Sequence, residues 1–86
     1  MSDNKMSDNK MSTYAQQIKS RIDGTFVGWS GETIVKLVNG QIWQQAEFWY
    51  RYHYAYMPEV IISPTGGGHT MQVNGVPRPV SVIRLK

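Results

Sequence analysis

Between Thr25 and the C-terminus, the chain is divided into short runs of residues that favour β-structure. The runs are TFVGW, TIVKLV, QIWQQ, EVIIS, HTMQV and VSVIRLK. Gly, Asn and Pro separate them at intervals of about 8–12 residues, which is typical of small all-β domains. The sequence therefore predicts an all-β protein built as a small antiparallel barrel of five or six strands.

The clearest turn signal is Asn39-Gly40, which joins TIVKLV to QIWQQ. Asn-Gly supplies both positive φ angles of a type I′ hairpin, and a two-residue turn here sets Leu37 opposite Ile42. One face then carries Val35, Leu37 and Ile42, and the other carries Ile34, Val38 and Trp43 around Lys36. Because both faces are largely apolar and a barrel has one interior, we expect a helix, an aromatic segment or another subunit to cover the second.

Residues 48–57 read FWYRYHYAYM, in which Phe48 and four tyrosines occupy alternate positions. A strand here would place these five rings on one face. Ten residues would span about 33 Å, longer than most strands, so the segment must bend or project. Aromatic side chains bury about 150–250 Å² each, more than so small a core can hide for every ring. Some rings are therefore predicted to form a surface patch.

Three interpretations compete for this patch: local core packing, a homo-oligomer interface, and stacking of single-stranded bases with Arg51 and Lys36 on phosphates. A small-molecule pocket between subunits, lined by Gln44, Gln45 and His53, is a further alternative. We predict a module that self-associates through its aromatic surface. The predicted interface or binding residues are Trp43, Phe48, Trp49, Tyr50, Arg51, Tyr52, His53, Tyr54 and Tyr56.

Motifs for catalysis are weak in this chain. It has no cysteine, which excludes disulfides and thiolate sites. His53 and His69 lie sixteen positions apart without a carboxylate cluster between them, a poor start for a metal site. The glycines at 66–68 lack the Gly-Lys-Ser/Thr ending of a phosphate-binding loop. We therefore predict a non-enzymatic protein with no cofactor or metal. The net charge of +3 is compatible with nucleic acid but does not indicate it, because the basic residues are scattered.

The N-terminus is a repeat, MSDNK-MSDNK-MS, and we predict a disordered tail over residues 1–11 because these residues have nothing to bury. Residues 12–86 are predicted to form one domain that begins with a helix at about 13–22, where Tyr14, Ile18 and Ile22 recur every four residues. No apolar run reaches the roughly 20 residues of a membrane span, and the start is too polar for a signal peptide. We therefore expect a cytoplasmic protein by default.

The stretch Asn39-Gly40-Gln41-Ile42-Trp43, with the Val-Ile-Ile strand and the closing Val-Ile-Arg-Leu-Lys strand after it, resembles a group of small uncharacterised bacterial proteins. These share an NGQ(V/I)W motif and an SH3-like barrel, and some are products of integron gene cassettes. The resemblance covers roughly residues 33–86. It implies an SH3-like fold and an integron-cassette origin but transfers no activity, and the aromatic run departs from the group's pattern.

Overall fold

The computed structural model describes residues 16–86, which form eight strands and, within that range, no helix. The strands are β1 (Ile18–Arg21), β2 (Thr25–Ser30), β3 (Ile34–Lys36), β4 (Ile42–Gln45), β5 (Tyr50–Tyr56), β6 (Glu59–Thr65), β7 (Gly68–Val73) and β8 (Val80–Arg84). The all-β prediction is confirmed. Each of the six predicted runs contains a strand, the aromatic run supplies β5, and β1 is additional.

Six strands form one antiparallel sheet in the order β1-β6-β7-β8-β4-β3, and β2 pairs with β5 in a second sheet. The larger sheet curls until its two outer strands approach each other. Ile22, directly after β1, bridges to Leu37, directly after β3. The Asp23 N–H also donates to the Lys36 carbonyl at 2.8 Å. The architecture is therefore a curled antiparallel half-barrel with a two-stranded sheet attached.

Alternate residues along the strands supply the hydrophobic core. Its members are Ile22, Phe26, Trp29, Val35, Leu37, Trp43, Val60, Ile62, Met71, Val73, Val76, Val80 and Val82. Trp43 is 1% exposed and is the largest of the fully buried side chains. Its indole Nε1 donates to Gln41 Oε1 at 3.0 Å, and its ring meets His69 edge-on, with centroids 5.2 Å apart. Trp43 is therefore a core residue whose ring and indole N–H both have partners.

The helix predicted at 13–22 is wrong where the structure describes the chain, because strand β1 occupies Ile18–Arg21. This strand pairs antiparallel with β6, with Ile18 opposite Ile62. Residues four apart share a face in a strand as well as in a helix, so the spacing of Ile18 and Ile22 fits both. A helix of under three turns is marginal, whereas pairing with β6 satisfies the backbone groups. Residues 13–15 of that helix and the tail predicted over 1–11 lie outside the described residues.

The Asn39-Gly40 hairpin has a three-residue loop instead of the predicted two-residue turn. The Gly40 N–H donates to the Leu37 carbonyl at 3.0 Å, and the Leu37 N–H donates to the Gln41 carbonyl at 2.9 Å. Gly40 has a φ of +93°, whereas Asn39 has no positive φ. This is a type I turn followed by a left-handed glycine, the other common use of Asn-Gly in hairpins.

The extra loop residue shifts the pairing by one position, and a shift of one exchanges the two faces of a strand. Val35 lies opposite Trp43, so Trp43 joins Val35 and Leu37 on the buried side of the hairpin. Ile34 remains exposed on the other side. The predicted register is therefore wrong, and with it the separation of Trp43 from the face of Val35 and Leu37.

Strand β2 changes its alternation at Gly28. Phe26 and Trp29 are three residues apart yet both are buried, and their rings meet edge-on with centroids 5.3 Å apart. Regular alternation would point one of them outward. Gly28 has a φ of +118°, and the pairing with β5 shifts register between Phe26 and Gly28. Because glycine tolerates this backbone conformation, β2 can turn both rings into the core.

Candidate functional site

The outer side of the β2–β5 sheet carries the exposed rings of the molecule. Tyr50, Tyr52, Tyr54 and Tyr56 are between 62% and 76% exposed, and Val27 on β2 is 58% exposed. We call these five residues the tyrosine face. Between the last three tyrosines, His53 and Ala55 are half-buried and point to the other side. Strand β5 therefore presents a row of phenol rings on one side and packs on the domain with the other.

The inner side of β5 is fixed by His53. Its imidazole lies over Phe26, with ring centroids 6.5 Å apart. It also packs so closely against Gly75 that a Cβ built on that glycine would lie 2.8 Å from His53 Nε2. His53 was predicted as a binding residue, and the structure uses it to seat β5 on the turn between β7 and β8. Its contacts are with the domain itself.

The segment before β5 is held by a polar network around Glu47. One carboxylate oxygen accepts the Ser81 backbone N–H at 2.7 Å, and the other lies 3.3 Å from the Arg78 guanidinium. The Arg78 guanidinium lies 4.2 Å from the centre of the Trp49 ring, a cation–π contact. The Ser81 N–H above all, and Arg78 after it, hold the pKa of the Glu47 carboxyl below its ordinary value. Trp49 is half-buried against the core and is part of this network.

Gln45 ties the same segment to the loop between β2 and β3. Its Oε1 accepts the backbone N–H of Gly31 at 2.7 Å, and its Nε2 donates to the Trp49 carbonyl at 2.8 Å. Gln45 is 3% exposed, so its amide is consumed inside the protein. Together with Gly31, Glu32, Ala46, Glu47 and Phe48 it borders an open hollow of about 230 Å³.

An open hollow of about 470 Å³ lies beside the first two rings of the tyrosine face. It is lined by Val27, Gly28, Trp29, Ser30, Thr33, Tyr50, Arg51 and Tyr52. Gly28, which has no side chain, lies directly opposite Tyr52 across the two strands. A Cβ on Gly28 would collide with the Arg51 carbonyl oxygen, so β2 and β5 come close together at this border of the hollow.

The predicted residues other than Arg51 fall into three groups. Tyr50, Tyr52, Tyr54 and Tyr56 share one face, and Phe48, which is 81% exposed, lies two residues before Tyr50. Trp49 and His53 are half-buried and seat β5 on the domain, while Trp43 is in the core and cannot contact a partner. Sequence reasoning missed Val27 and Gly28. A glycine inside a β run signals a bulge or a close approach, and that signal was available at Gly28.

Formal charge is absent from the tyrosine face. Arg51, the charged residue of β2 and β5, lies opposite the buried Trp29 across the strand pair, and cross-strand partners share a face. Arg51 is exposed and borders the hollow beside Tyr50 and Tyr52. Arg21 forms an ion pair with Glu59 at 3.0 Å, and Lys19 and Lys36 lie on β1 and β3 in the larger sheet.

Comparisons with models of known protein families, with curated proteins and with solved structures give no match. The resemblance to the NGQ(V/I)W group therefore stays a prediction. Within residues 16–86, no three His, Cys, Asp or Glu side chains cluster in a way that could hold a metal ion. The same range holds no helix of the length and apolarity that a membrane crossing requires.

Proposed function

We propose that this protein is a non-enzymatic interaction module that forms homo-oligomers through the tyrosine face and Phe48. One observation carries the proposal: four tyrosines at alternate positions of β5 are each at least 62% exposed on one side of one sheet. The apolar surface of these rings is exposed to water, and contact with a partner surface would bury it. Tyr is among the residue types enriched at protein interfaces.

The area of this surface fits a contact between two folded subunits. At about 150–250 Å² for each ring, the exposed parts of the four tyrosines and Phe48 amount to about 700 Å². The largest apolar patch of a typical monomer is about 300–600 Å², and each partner in a standard interface contributes about 800 Å². The surface is therefore large for a lone subunit and sufficient for a dimer.

The charge distribution supports a second copy as the partner. Two copies of a chain with a net charge of +3 repel each other wherever their basic residues meet. None of the five residues of the tyrosine face carries a formal charge, and Arg51 is the basic residue that borders the hollow beside them. The protein is also a small domain without disulfides, and such a domain can gain stability by burying surface between subunits.

Binding of single-stranded nucleic acid is the second candidate, favoured by the row of rings on an open sheet. Bases stack on aromatic side chains in this manner, but the phosphates need cations beside the rings. Arg51 borders the hollow beside two of the rings, but Arg21 and Arg78 are engaged in ion pairs with Glu59 and Glu47. The charge distribution therefore favours self-association.

The test is sedimentation equilibrium of the wild type against the double variant Tyr52→Ser/Tyr54→Ser. We expect a dimer or larger oligomer for the wild type and a dissociation constant raised at least about thirtyfold in the variant, since hot-spot rings contribute about 2 kcal/mol or more. Ile83→Ser/Leu85→Ser is the matched control, because both residues are about half exposed outside the tyrosine face. It should leave the dissociation constant unchanged.

Two results would contradict self-association. One is a wild-type chain that stays monomeric at millimolar concentration. The other is a monomer that binds a fluorescent oligothymidylate with an affinity that falls steeply with salt and is lost in Tyr52→Ser/Tyr54→Ser, which would establish the nucleic-acid alternative. An interface of uncharged rings should be nearly insensitive to salt.

We further propose that the curled sheet is an SH3-like barrel of a cytoplasmic protein. The curling of the six-stranded sheet and the Ile22–Leu37 bridge between its ends support the fold. An experimental structure in which the strand order differs from that of SH3-like barrels would reject it.

A further inference from the structure

We propose that the hollow beside Tyr50 and Tyr52 is the socket for an aromatic ring, and that its occupant is Phe48 of a second copy. This proposal rests on the proposed self-association and specifies its central contact. Interfaces draw most of their affinity from a few rings seated in pockets near their centre. The hollow and Phe48 are the pocket and the protruding ring of this surface.

The hollow lies at Gly28, where β2 comes close to the backbone of β5. A Cβ on Gly28 would collide with the Arg51 carbonyl oxygen and lie 2.8 Å from the His53 backbone nitrogen. The position must therefore stay without a side chain, because the β5 backbone fills the place where one would lie. Tyr50, Tyr52, Val27 and Arg51 are among the residues that border the hollow, so an entering ring would meet two phenol rings, an aliphatic side chain and Arg51.

Phe48 is held in position to act as the inserting group. It is the most exposed of the large hydrophobic residues described, at 81%, yet both of its neighbours are fixed. Glu47 accepts the Ser81 N–H, and the Trp49 carbonyl accepts the Gln45 amide. The backbone at Phe48 is thus pinned from both sides, which lowers the entropy lost when its ring is fixed against a partner.

The positions of the two features fit a two-fold axis. Phe48 precedes Tyr50 by two residues, and Tyr50 borders the hollow. In a symmetric dimer every contact occurs twice, with the roles of the subunits exchanged. An axis passing near Tyr50 therefore lets each Phe48 enter the other subunit's hollow, and the remaining tyrosines pack around the two insertions. A different protein that supplied one ring would fill the hollow of this chain but would leave Phe48 of this chain without a partner.

The direct test is photo-crosslinking with p-benzoylphenylalanine in place of Phe48. Equal amounts of ¹⁴N- and ¹⁵N-labelled chains are mixed, irradiated and digested, so that mixed-isotope peptides identify crosslinks between subunits. We expect these crosslinks at residues 27–33 and 50–52. Crosslinks between subunits that lie elsewhere would overturn the assignment of the socket.

The equilibrium test compares Phe48→Ala with Phe48→Trp by sedimentation. We expect the dissociation constant to rise at least tenfold in Phe48→Ala and to stay within about threefold of wild type in Phe48→Trp, which keeps a ring. Ile83→Ala is the control for removal of an exposed apolar side chain. A wild-type dimer that Phe48→Ala leaves unchanged refutes the socket alone, whereas a monomeric wild type refutes self-association and the socket together.

Discussion

Replacement of Gly28 by alanine tests the feature that shapes both the core and the tyrosine face. Gly28 has a φ of +118°, and it lies where β2 approaches the backbone of β5 most closely. An added Cβ would collide with the Arg51 carbonyl oxygen and lie 2.8 Å from the Tyr52 Cα. These are backbone atoms of a paired strand, so they cannot move aside without opening the β2–β5 pairing.

Two costs add in this variant. A non-glycine residue in this backbone region costs about 1–3 kcal/mol. Forcing an extra methyl group into a packed position costs about 1–3 kcal/mol more. We therefore expect Gly28→Ala to lower the free energy of unfolding by about 4 kcal/mol. A domain of this size is stable by roughly 4–10 kcal/mol in all, so the variant should be marginally folded.

Two other glycines separate the two costs. Gly24 has a φ of +99° and open space around its Cβ position, and Gly66 has open space and no positive φ. Urea denaturation followed by tryptophan fluorescence should rank the variants clearly. Gly66→Ala should be nearly neutral, Gly24→Ala should lose about 1–2 kcal/mol, and Gly28→Ala should lose the most. Equal losses in Gly24→Ala and Gly28→Ala would refute the close approach of the two strands.

Two further predictions concern the core and the Glu47 network. Trp43→Ala should lower the free energy of unfolding by about 3–5 kcal/mol in the same denaturation assay, because it removes the largest of the fully buried side chains. A loss below about 1 kcal/mol would contradict the burial of Trp43. Glu47 has a pKa lowered by the Ser81 N–H and Arg78, so its contribution to stability is complete above its ordinary pKa of 4.5 and is lost as the pH falls through the lowered value. The Glu47→Gln variant should therefore lose less stability than wild type between pH 5 and pH 3 in pH-dependent thermal denaturation, and parallel curves would contradict this.

Most strands could be located from the sequence because two local signals agree. Runs such as EVIIS and HTMQV are short and contain β-branched residues, and turn residues such as Gly, Asn and Pro separate the runs. Strand β1 was missed because Ile18 and Ile22 share a face in either type of secondary structure. The strand is favoured over the helix because β6 offers unpaired backbone groups with which β1 can pair. The local sequence pattern at residues 18–22 does not show that β6 lies beside it.

The hairpin at Asn39-Gly40 shows how a small local choice changes the predicted faces of a strand. Asn-Gly serves both in a two-residue turn and at the end of a three-residue loop. The two alternatives differ by one residue in register, and that residue decides whether Trp43 shares a face with Val35 and Leu37. The interface assignment of Trp43 follows from the expectation that the core is too small for every ring, yet the core holds it at 1% exposure. The assignment of the tyrosines depends on alternation within one strand, and no turn geometry enters it.

The division of the aromatic residues between inside and outside has a physical cause in the core. Gln45 is the buried polar residue of the described part, and its amide is already engaged; the buried indole Nε1 of Trp29 has no partner there. Such a core cannot satisfy further hydroxyl groups, and each one buried without a partner would cost about 1–3 kcal/mol. Tyrosines are therefore left outside, where water solvates the hydroxyl in the free subunit. At an interface the ring can be covered while the hydroxyl stays at the wet rim, so the property that keeps these rings out of the core also suits them to a second copy.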